Sequence, residues 1–243
     1  MKTRILIFIP TYNEKDNVQK LFDDILKLRM GDLDILFIDD NSPDGTGELL
    51  NKLAKKHDSV FVKHRKEKAG IGSAHKEGIK WAYKKGYKIL VTMDSDMTHS
   101  PVYIPKMIKK GKSADLVIAS RYLSKRPMVG WNIIRSTLSY FSHFIVKFLF
   151  KLDYDSSNAY RLYRLDKIDG DLFKLVYSNT YSFFFESLYI LKFNGVKIAE
   201  IPATLRSREY GSTKMSVNDI FVHLKITFSL LMRSIFMKSD LSI

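Results

Sequence analysis

Short apolar runs that end in polar turn residues, separated by stretches with helical spacing, constrain this chain more than any other feature. Ile5–Ile9 is apolar and stopped by Pro10, and Asp34–Ile38 runs into Asp39-Asp40-Asn41-Ser42-Pro43-Asp44-Gly45. Lys88–Met93 runs straight into Asp94-Ser95-Asp96, while Val60–Val62 and Leu116–Ala119 read as two further strands. Between them, Asn17–Met30 carries Val18, Leu21, Phe22 and Ile25 near helical spacing, and Thr46–Lys56 reads as a second helix. Ser73–Lys85 sets Ala74, Gly78, Trp81 and Ala82 on one face of a third. Such alternation implies right-handed βαβ units: an α/β fold with a mostly parallel central sheet flanked by helices. Ligands bind these folds at the carboxyl ends of the strands. Thr11-Tyr12-Asn13-Glu14, Asp39-Asp40 and Asp94-Ser95-Asp96 each follow a strand, so they share one edge and form a candidate site.

With 243 residues, 45% hydrophobic and 27% charged, the composition is that of a globular chain with room for a continuous core. The absence of cysteine excludes a disulfide scaffold, a thiolate-ligated metal and a thiol nucleophile, and fits a reducing compartment. The five apolar residues before Pro10 are too few for a signal-peptide core, and no apolar run approaches the length of a membrane span. Forty Lys and Arg against 26 Asp and Glu leave a charge of +14, which favours nucleic acid, nucleotide phosphates or an acidic membrane surface. The second half changes character. Gly130–Phe150 and the stretch from Asn218 onward, with Ile220, Phe221, Leu224, Phe228, Leu231 and Ile235, are amphipathic, basic and aromatic. They read either as helices packed on the domain or as helices lying in a bilayer interface.

Asp94 and Asp96, one residue apart after a strand, can approach one hard divalent cation carrying phosphate oxygens. Asp40 could accept hydrogen bonds from a nucleobase, whereas Asp39, Asn41 and Asp44 read as turn builders and caps for the helix near Thr46. The segment from Arg65 to Gly72 is a basic, glycine-bearing loop before a helix, a plausible phosphate neighbour, with Arg65 and Lys66 read as solvated charges. It has neither P-loop nor dinucleotide-fingerprint spacing. Arg121, Arg135, Arg161, Arg206, Arg208 and Lys214 are further cations, some of which a phosphate-handling site needs turned inward. His99 alone adjoins an acidic motif; the other histidines read as residues of surface helices.

Taken in order, Ile9–Glu14 (IPTYNE), Ile38–Thr46 (IDDNSPDGT), Gly70–Ala74 (GIGSA), Met93–His99 (MDSDMTH), Ala119–Tyr122 (ASRY) and Arg208–Ser216 (REYGSTKMS) resemble the family-2 glycosyltransferases. Within that family they are most similar to the dolichyl- and polyprenyl-phosphate mannosyltransferase group, over residues 4–216. The resemblance implies a GT-A domain over 1–216, followed by an amphipathic helix and tail over 217–243. It implies an inverting, metal-dependent transfer from a nucleotide-sugar donor, best GDP-mannose, to a polyprenyl phosphate. Pro10, Tyr12, Glu14 and Asp40 would then line the nucleoside pocket, and Asp94 and Asp96 would hold Mg²⁺ or Mn²⁺ on the donor diphosphate. Arg121, Arg135 and Ser139 would bind the acceptor phosphate, with Asp96, Arg121 and Arg135 essential to catalysis. Arg208 and Lys214 would belong to a loop closing over the donor phosphates. The implied location is the cytoplasmic face of a membrane, peripherally bound to an anionic surface. The ordered motifs argue against nucleic acid as the partner. Thr98 stands where the group has Gln, Asn158-Ala159-Tyr160 replaces Ser-Gly-Phe, and Phe185 replaces a Gln before Glu186; these departures bear on the sugar and the acceptor more than on the fold. Transfer to a glycan hydroxyl, or nucleotide-sugar binding without turnover, are the alternatives.

Overall fold

The computed structural model describes residues 4–125, 128–130, 133–207 and 217–243, without the side chains of 134, 135, 138 and 217–220. The first half follows the apolar runs. β1 (Ile5–Thr11) lies between β2 (Leu33–Asp39) and β4 (Ile89–Thr92), with β3 (Val60–His64) outside β2, all parallel. Beyond β4 come β7 (Arg161–Arg164), β5 (Leu116–Ser120) and β8 (Ile198–Pro202), giving the order β3-β2-β1-β4-β7-β5-β8. β7 runs antiparallel to both β4 and β5, so the sheet is mixed, with one reversed strand set into a parallel frame. Neither β7 nor β8 is foreshadowed by an apolar run. A short parallel pair, β6 (Met128–Val129) with β9 (Leu205–Arg206), stands apart from this sheet.

Side chains alternate across the strands, as their period of two requires. Leu6 and Phe8 enter one core layer, while Ile5, Ile7 and Ile9 enter the other. The second layer is closed by α1 (Lys15–Leu26), α2 (Thr46–Lys56) and α4 (Ile104–Lys110) through Val18, Leu21, Phe22, Leu50, Leu53, Ile104 and Met107. The first is closed by α3 (Ile71–Lys84) and α6 (Ser182–Phe193). α1 stops short of the expected Met30 because Arg29 turns left-handed at φ 50°.

α3 corrects one expectation. His75 is no surface residue: it is fully buried between the rings of Phe8, Phe183 and Phe184, on the same face as Ile79 and Ala82. Burial above all, helped by the charge of Arg161, lowers its pKa to about 3 and keeps it neutral.

α5 (Ile133–Phe150) and α7 (Val217–Phe236) give Val146, Phe150 and Leu230 to the first core layer, and Leu241 joins them beyond the end of α7. Several of their described apolar side chains are exposed, among them Phe144, Phe148, Phe221 and Phe228. Among the described residues no helix is long and apolar enough to cross a membrane.

Candidate active site

The chain leaves β1 toward β2 and β3, then returns across the sheet to β4. That reversal opens a crevice at the carboxyl ends of β1 and β4, where α/β folds take ligands. Each strand-end turn there contains one left-handed residue other than glycine: Asn13 at φ 55°, Asn41 at φ 58° and Met97 at φ 63°. Such a conformation costs an L-residue about 1–2 kcal/mol and persists where neighbours hold it. The loop after β2 supplies the hold. Ser42 Oγ accepts the Asn13 N–H (2.9 Å), Thr46 Oγ1 accepts the Glu14 N–H (3.0 Å), and Asp44 Oδ2 accepts the Lys15 N–H (3.2 Å). Asp39 in turn accepts from the Ser42 hydroxyl (2.6 Å), so Asp39 and Asp44 build turns, as their sequence setting implied.

A cleft of about 320 Å³ follows, lined by Pro10, Thr11, Tyr12, Glu14, Asp40, Lys68, Gly70, Ile71, Ala74, Asp94, Ser95, Asp96, Thr180 and Tyr181. Pro10, Tyr12, Glu14, Asp40, Asp94 and Asp96, named from the sequence, are thus brought together. The lining holds four carboxylates against Lys68, whose Nζ sits 4.6 Å from the centre of the Tyr12 ring. Arg65 is not the solvated charge its loop suggested. Its guanidinium is nearly buried, 3.0 Å from Asp40 Oδ1, and donates to Ser73 Oγ (2.8 Å). Burial pushes the Asp40 carboxyl above its usual range, against the pull of Arg65 and the Ala69 N–H.

Asp94 and Asp96 are oriented by their own turn. The Asp94 N–H donates to His99 Nδ1 (2.9 Å), which makes that nitrogen an acceptor and puts the ring proton on Nε2. His99 is further fixed by stacking on Tyr160. Asp96 Oδ1 accepts from both the N–H (3.1 Å) and the hydroxyl (2.6 Å) of Thr98. Thr98 therefore orients a carboxylate rather than adding one. No group of three potential His, Cys, Asp or Glu ligands exists among the described residues. Two carboxylates lining the same cleft nevertheless fit Mg²⁺ or Mn²⁺, which commonly take one or two carboxylates and complete their shell with phosphate oxygens and water.

Arg121 and Ser139 lie outside the cleft lining, in a cluster of their own. Arg121 makes a bidentate pair with fully buried Asp155 (Nε–Oδ2 2.8 Å, Nη2–Oδ1 2.9 Å) and turns Nη1 toward Ser139 Oγ at 3.4 Å. Burial opposes its charge, but Asp155 outweighs burial and raises its pKa, with a smaller contribution from Asp94. Tyr122 lies between this arginine and His143, with its hydroxyl on Ser139 Oγ (3.0 Å) and its ring stacked on His143 at 4.0 Å. Arg135 lies in α5, four residues before Ser139, with its side chain outside the described residues. Arg208 and Lys214 lie outside them altogether. Arg161 is turned inward but committed, donating to the carbonyls of Ser156, Asn158 and Phe184 and to Ser187 Oγ.

Lys68 comes from the basic, glycine-bearing loop named above, whereas Thr180, Tyr181 and Asp155 escaped the sequence reading. Thr180 and Tyr181 reach the cleft from more than eighty residues beyond the rest of its lining, and their one local trace is the glycine pair facing them. At Gly72 a Cβ would lie 2.7 Å from the Thr180 carbonyl oxygen and 2.8 Å from the Asn179 carbonyl carbon. Gly70 has φ +89° and meets Asn179 as closely. The glycines thus admit the cleft wall.

A profile of the family described as glycosyl transferase family 2 matches residues 6–170. Over 214 residues the chain is 35% identical to an undecaprenyl-phosphate mannosyltransferase of Micrococcus luteus, covering 88% of each protein. It is 36% identical over 220 residues to a polyprenol monophosphomannose synthase of Mycolicibacterium smegmatis, covering 89% of this chain and 83% of that one. Among solved structures, glucosyl-3-phosphoglycerate synthase from Mycobacterium tuberculosis, in complex with Mn²⁺, UDP-glucose and phosphoglyceric acid, matches with a TM-score of 0.65. Identity there is 17%, over 95% of this chain and 79% of that one. Residues 1–349 of S. aureus TarS with UDP-GlcNAc match at a TM-score of 0.63 and 16% identity, over 98% and 69%. These two likenesses concern the fold.

Proposed function

The chain belongs to glycosyl transferase family 2, with a fold of the GT-A type, and from that premise we propose that it transfers mannose from GDP-mannose to a polyprenyl phosphate at a membrane surface. The observation that carries the reading is the cleft in which Pro10, Tyr12, Glu14 and Asp40 face Asp94 and Asp96, in a chain about a third identical to two polyprenyl-phosphate mannose transferases. Tyr12 and Pro10 offer flat surfaces to the nucleoside, and Asp40 accepts from the base. Asp94 and Asp96 would hold Mg²⁺ or Mn²⁺, which when bound offsets charge gathering on the leaving diphosphate. The acceptor oxygen attacks the anomeric carbon as the bond to the diphosphate breaks, with inversion.

A phosphate acceptor suits the residues present. A monophosphate, with a second pKa near ~6, is largely dianionic at neutral pH and needs no base, whereas a sugar hydroxyl must lose a proton. The lining carboxylates are engaged otherwise. Glu14 accepts from Asn17 Nδ2 (2.7 Å), Asp40 faces Arg65, and Asp94 and Asp96 would be taken up by the metal. Arg121, Arg135 and Ser139 would hold the phosphate, and Arg208 and Lys214 would close on the donor. The outward aromatic faces of α5 and α7, with the surplus of basic residues, suit peripheral binding to an anionic leaflet on the cytoplasmic side, where 1–216 works as the transferase and 217–243 as its interfacial helix.

The test uses purified protein, Mn²⁺ or Mg²⁺, polyprenyl phosphate and a panel of labelled nucleotide sugars, with EDTA as control. The expected outcome is metal-dependent label from GDP-mannose in the organic phase, lost in Asp96→Asn and Arg135→Ala, the second with donor binding intact. Water-soluble product or donor hydrolysis alone would move the acceptor to a glycan hydroxyl. Donor binding without turnover over the whole panel would make the chain a sensor.

A further inference from the structure

Most of the described apolar side chains of α7 face outward, yet Arg233 and His223 fasten it to the segment 175–186. Arg233 donates from Nη1 to Glu186 Oε1 (3.0 Å) and from Nη2 to the carbonyls of Leu175 (3.1 Å) and Asp240 (2.7 Å). Its guanidinium lies 4.0 Å from the centre of the Tyr177 ring. One face of the helix earlier, His223 Nδ1 lies 2.9 Å from Ser182 Oγ.

Glu186 is 1% exposed and absent from the cleft lining. It accepts the Tyr177 N–H on Oε1 (3.0 Å) and the Ser178 N–H on Oε2 (2.8 Å), so its carboxylate holds backbone and reaches no substrate. The residues it holds lead directly into the site. Asn179 accepts the Ser73 N–H on its carbonyl (3.2 Å), and Lys76 Nζ ties Tyr177 O (3.2 Å) to Asn179 Oδ1 (3.0 Å). Thr180 and Tyr181 then form the cleft wall that faces Gly70 and Ile71.

We propose that Glu186 and Arg233 are positioning residues for the nucleotide donor: they fix the segment 177–181, and with it the wall formed by Thr180 and Tyr181, against α7. The proposal rests on the donor occupying this cleft. The buried pair is what makes the wall rigid. An unpaired carboxylate at Glu186 would draw in water or protons, and the two amides it accepts would lose their anchor. The helix with the exposed aromatic face thereby becomes a brace of the donor site as well as an interfacial element.

The test measures GDP and UDP affinity calorimetrically with Mn²⁺ present, and donor and acceptor KM, on the full chain. Arg233→Met and Glu186→Gln should raise the nucleotide Kd and donor KM by at least about tenfold, within what a ~1 Å misplacement costs, and leave the acceptor KM unchanged. Arg233→Lys, which keeps the charge, should recover most of the affinity. Lys76→Met, which frees the same segment from its half-buried side, should shift donor KM in the same direction and carries the test if the pair variants fold poorly. A donor KM within twofold of wild type in the folded variants, with kcat falling only as the folded fraction falls, would overturn the proposal. Binding of neither nucleotide by the wild type would overturn the donor assignment of the cleft and the proposal with it, whereas wild-type binding that the variants match sinks the proposal alone.

Discussion

Replacing Thr98 with valine keeps the β-branched shape, and so the preferred rotamer, while removing the hydroxyl that donates 2.6 Å to Asp96 Oδ1. Both residues are buried, at 7% and 4% exposure, so water cannot easily stand in for the lost donor. The Thr98 N–H, at 3.1 Å, still holds the same oxygen, so the carboxylate is loosened rather than released. A hydrogen bond to a charged group contributes about 1.5–3 kcal/mol. Partners that orient a metal ligand are worth roughly 10–100-fold in metal affinity, or about 1.4–2.7 kcal/mol. The two ranges overlap, so Thr98→Val should weaken Mn²⁺ binding by about one to two orders of magnitude.

The assay is a Mn²⁺ titration at saturating GDP, followed by the signal of free Mn²⁺ and by turnover. Half-saturation should move by that factor while kcat at high Mn²⁺ returns near wild type, because on the proposed assignment the ion bound at saturation would be held by the same two carboxylates. Thr98→Ser, which keeps the donor, should stay within a few-fold. An unchanged half-saturation in Thr98→Val would refute the orienting role. A kcat that no concentration of Mn²⁺ restores would instead give Thr98 a place beside the reacting atoms.

Arg121→Met would leave Asp155 buried and unpaired, which typically costs about 3–5 kcal/mol, or roughly 6–20 °C in Tm for a chain of this size; calorimetry would separate that loss from any effect on the acceptor, and a Tm within a degree or two would contradict the pairing. Gly72→Ala places a Cβ 2.7 Å from a backbone oxygen and should cost about 1–3 kcal/mol and weaken GDP binding, while Gly31→Ala, with nothing within 4 Å, should be silent; chemical denaturation compares the two. Because burial raises the Asp40 pKa, its carboxylate takes up a proton at a higher pH than an ordinary aspartate. GDP affinity should therefore fall as pH drops through that raised value, and Asp40→Asn should bind weakly with that step missing from its pH profile.

The clustering of site residues was legible because it is local. An apolar run followed by a polar turn specifies both a strand and the edge at which its next residues emerge, and β1, β2 and β4 each carry that signature. What the sequence concealed depends on distant partners. Arg65 reads as a loop charge until Asp40 and Ser73 are seen beside it. β7 opens on Arg161, whose donors are satisfied by carbonyls of 156, 158 and 184, so a buried strand begins with a residue that local rules assign to water. His75 was the recoverable error, since its spacing from Ile79 and Ala82 puts it on the buried face of α3. Tyr181 left no periodic signal at all.

The two substrates proposed for this transferase come from different phases, and the fold divides along the same line. The proposed donor cleft is lined largely by strand-end turns, while the Arg121 cluster is tied through Tyr122 and Ser139 to α5, whose outer face carries Phe144 at 64% and Phe148 at 75% exposure. α7 adds Phe221, Phe228 and Phe236 at 65–72%. Burying one such ring contributes about 1.5–3 kcal/mol, so two to four of them match a single myristoyl chain, whose binding constant of ~10⁴ M⁻¹ corresponds to about 5.5 kcal/mol. Each Lys or Arg held near an anionic leaflet adds about 1 kcal/mol. Five rings and a charge of +14 would therefore suffice to hold such a chain at a bilayer reversibly, with no spanning helix required. Left in water, the same rings would cost solubility and gain nothing for the core. On the proposed function, their placement on α5, which carries Ser139, and on α7, which Arg233 ties to the segment leading into the cleft wall, suits a reaction between a soluble nucleotide and a lipid phosphate.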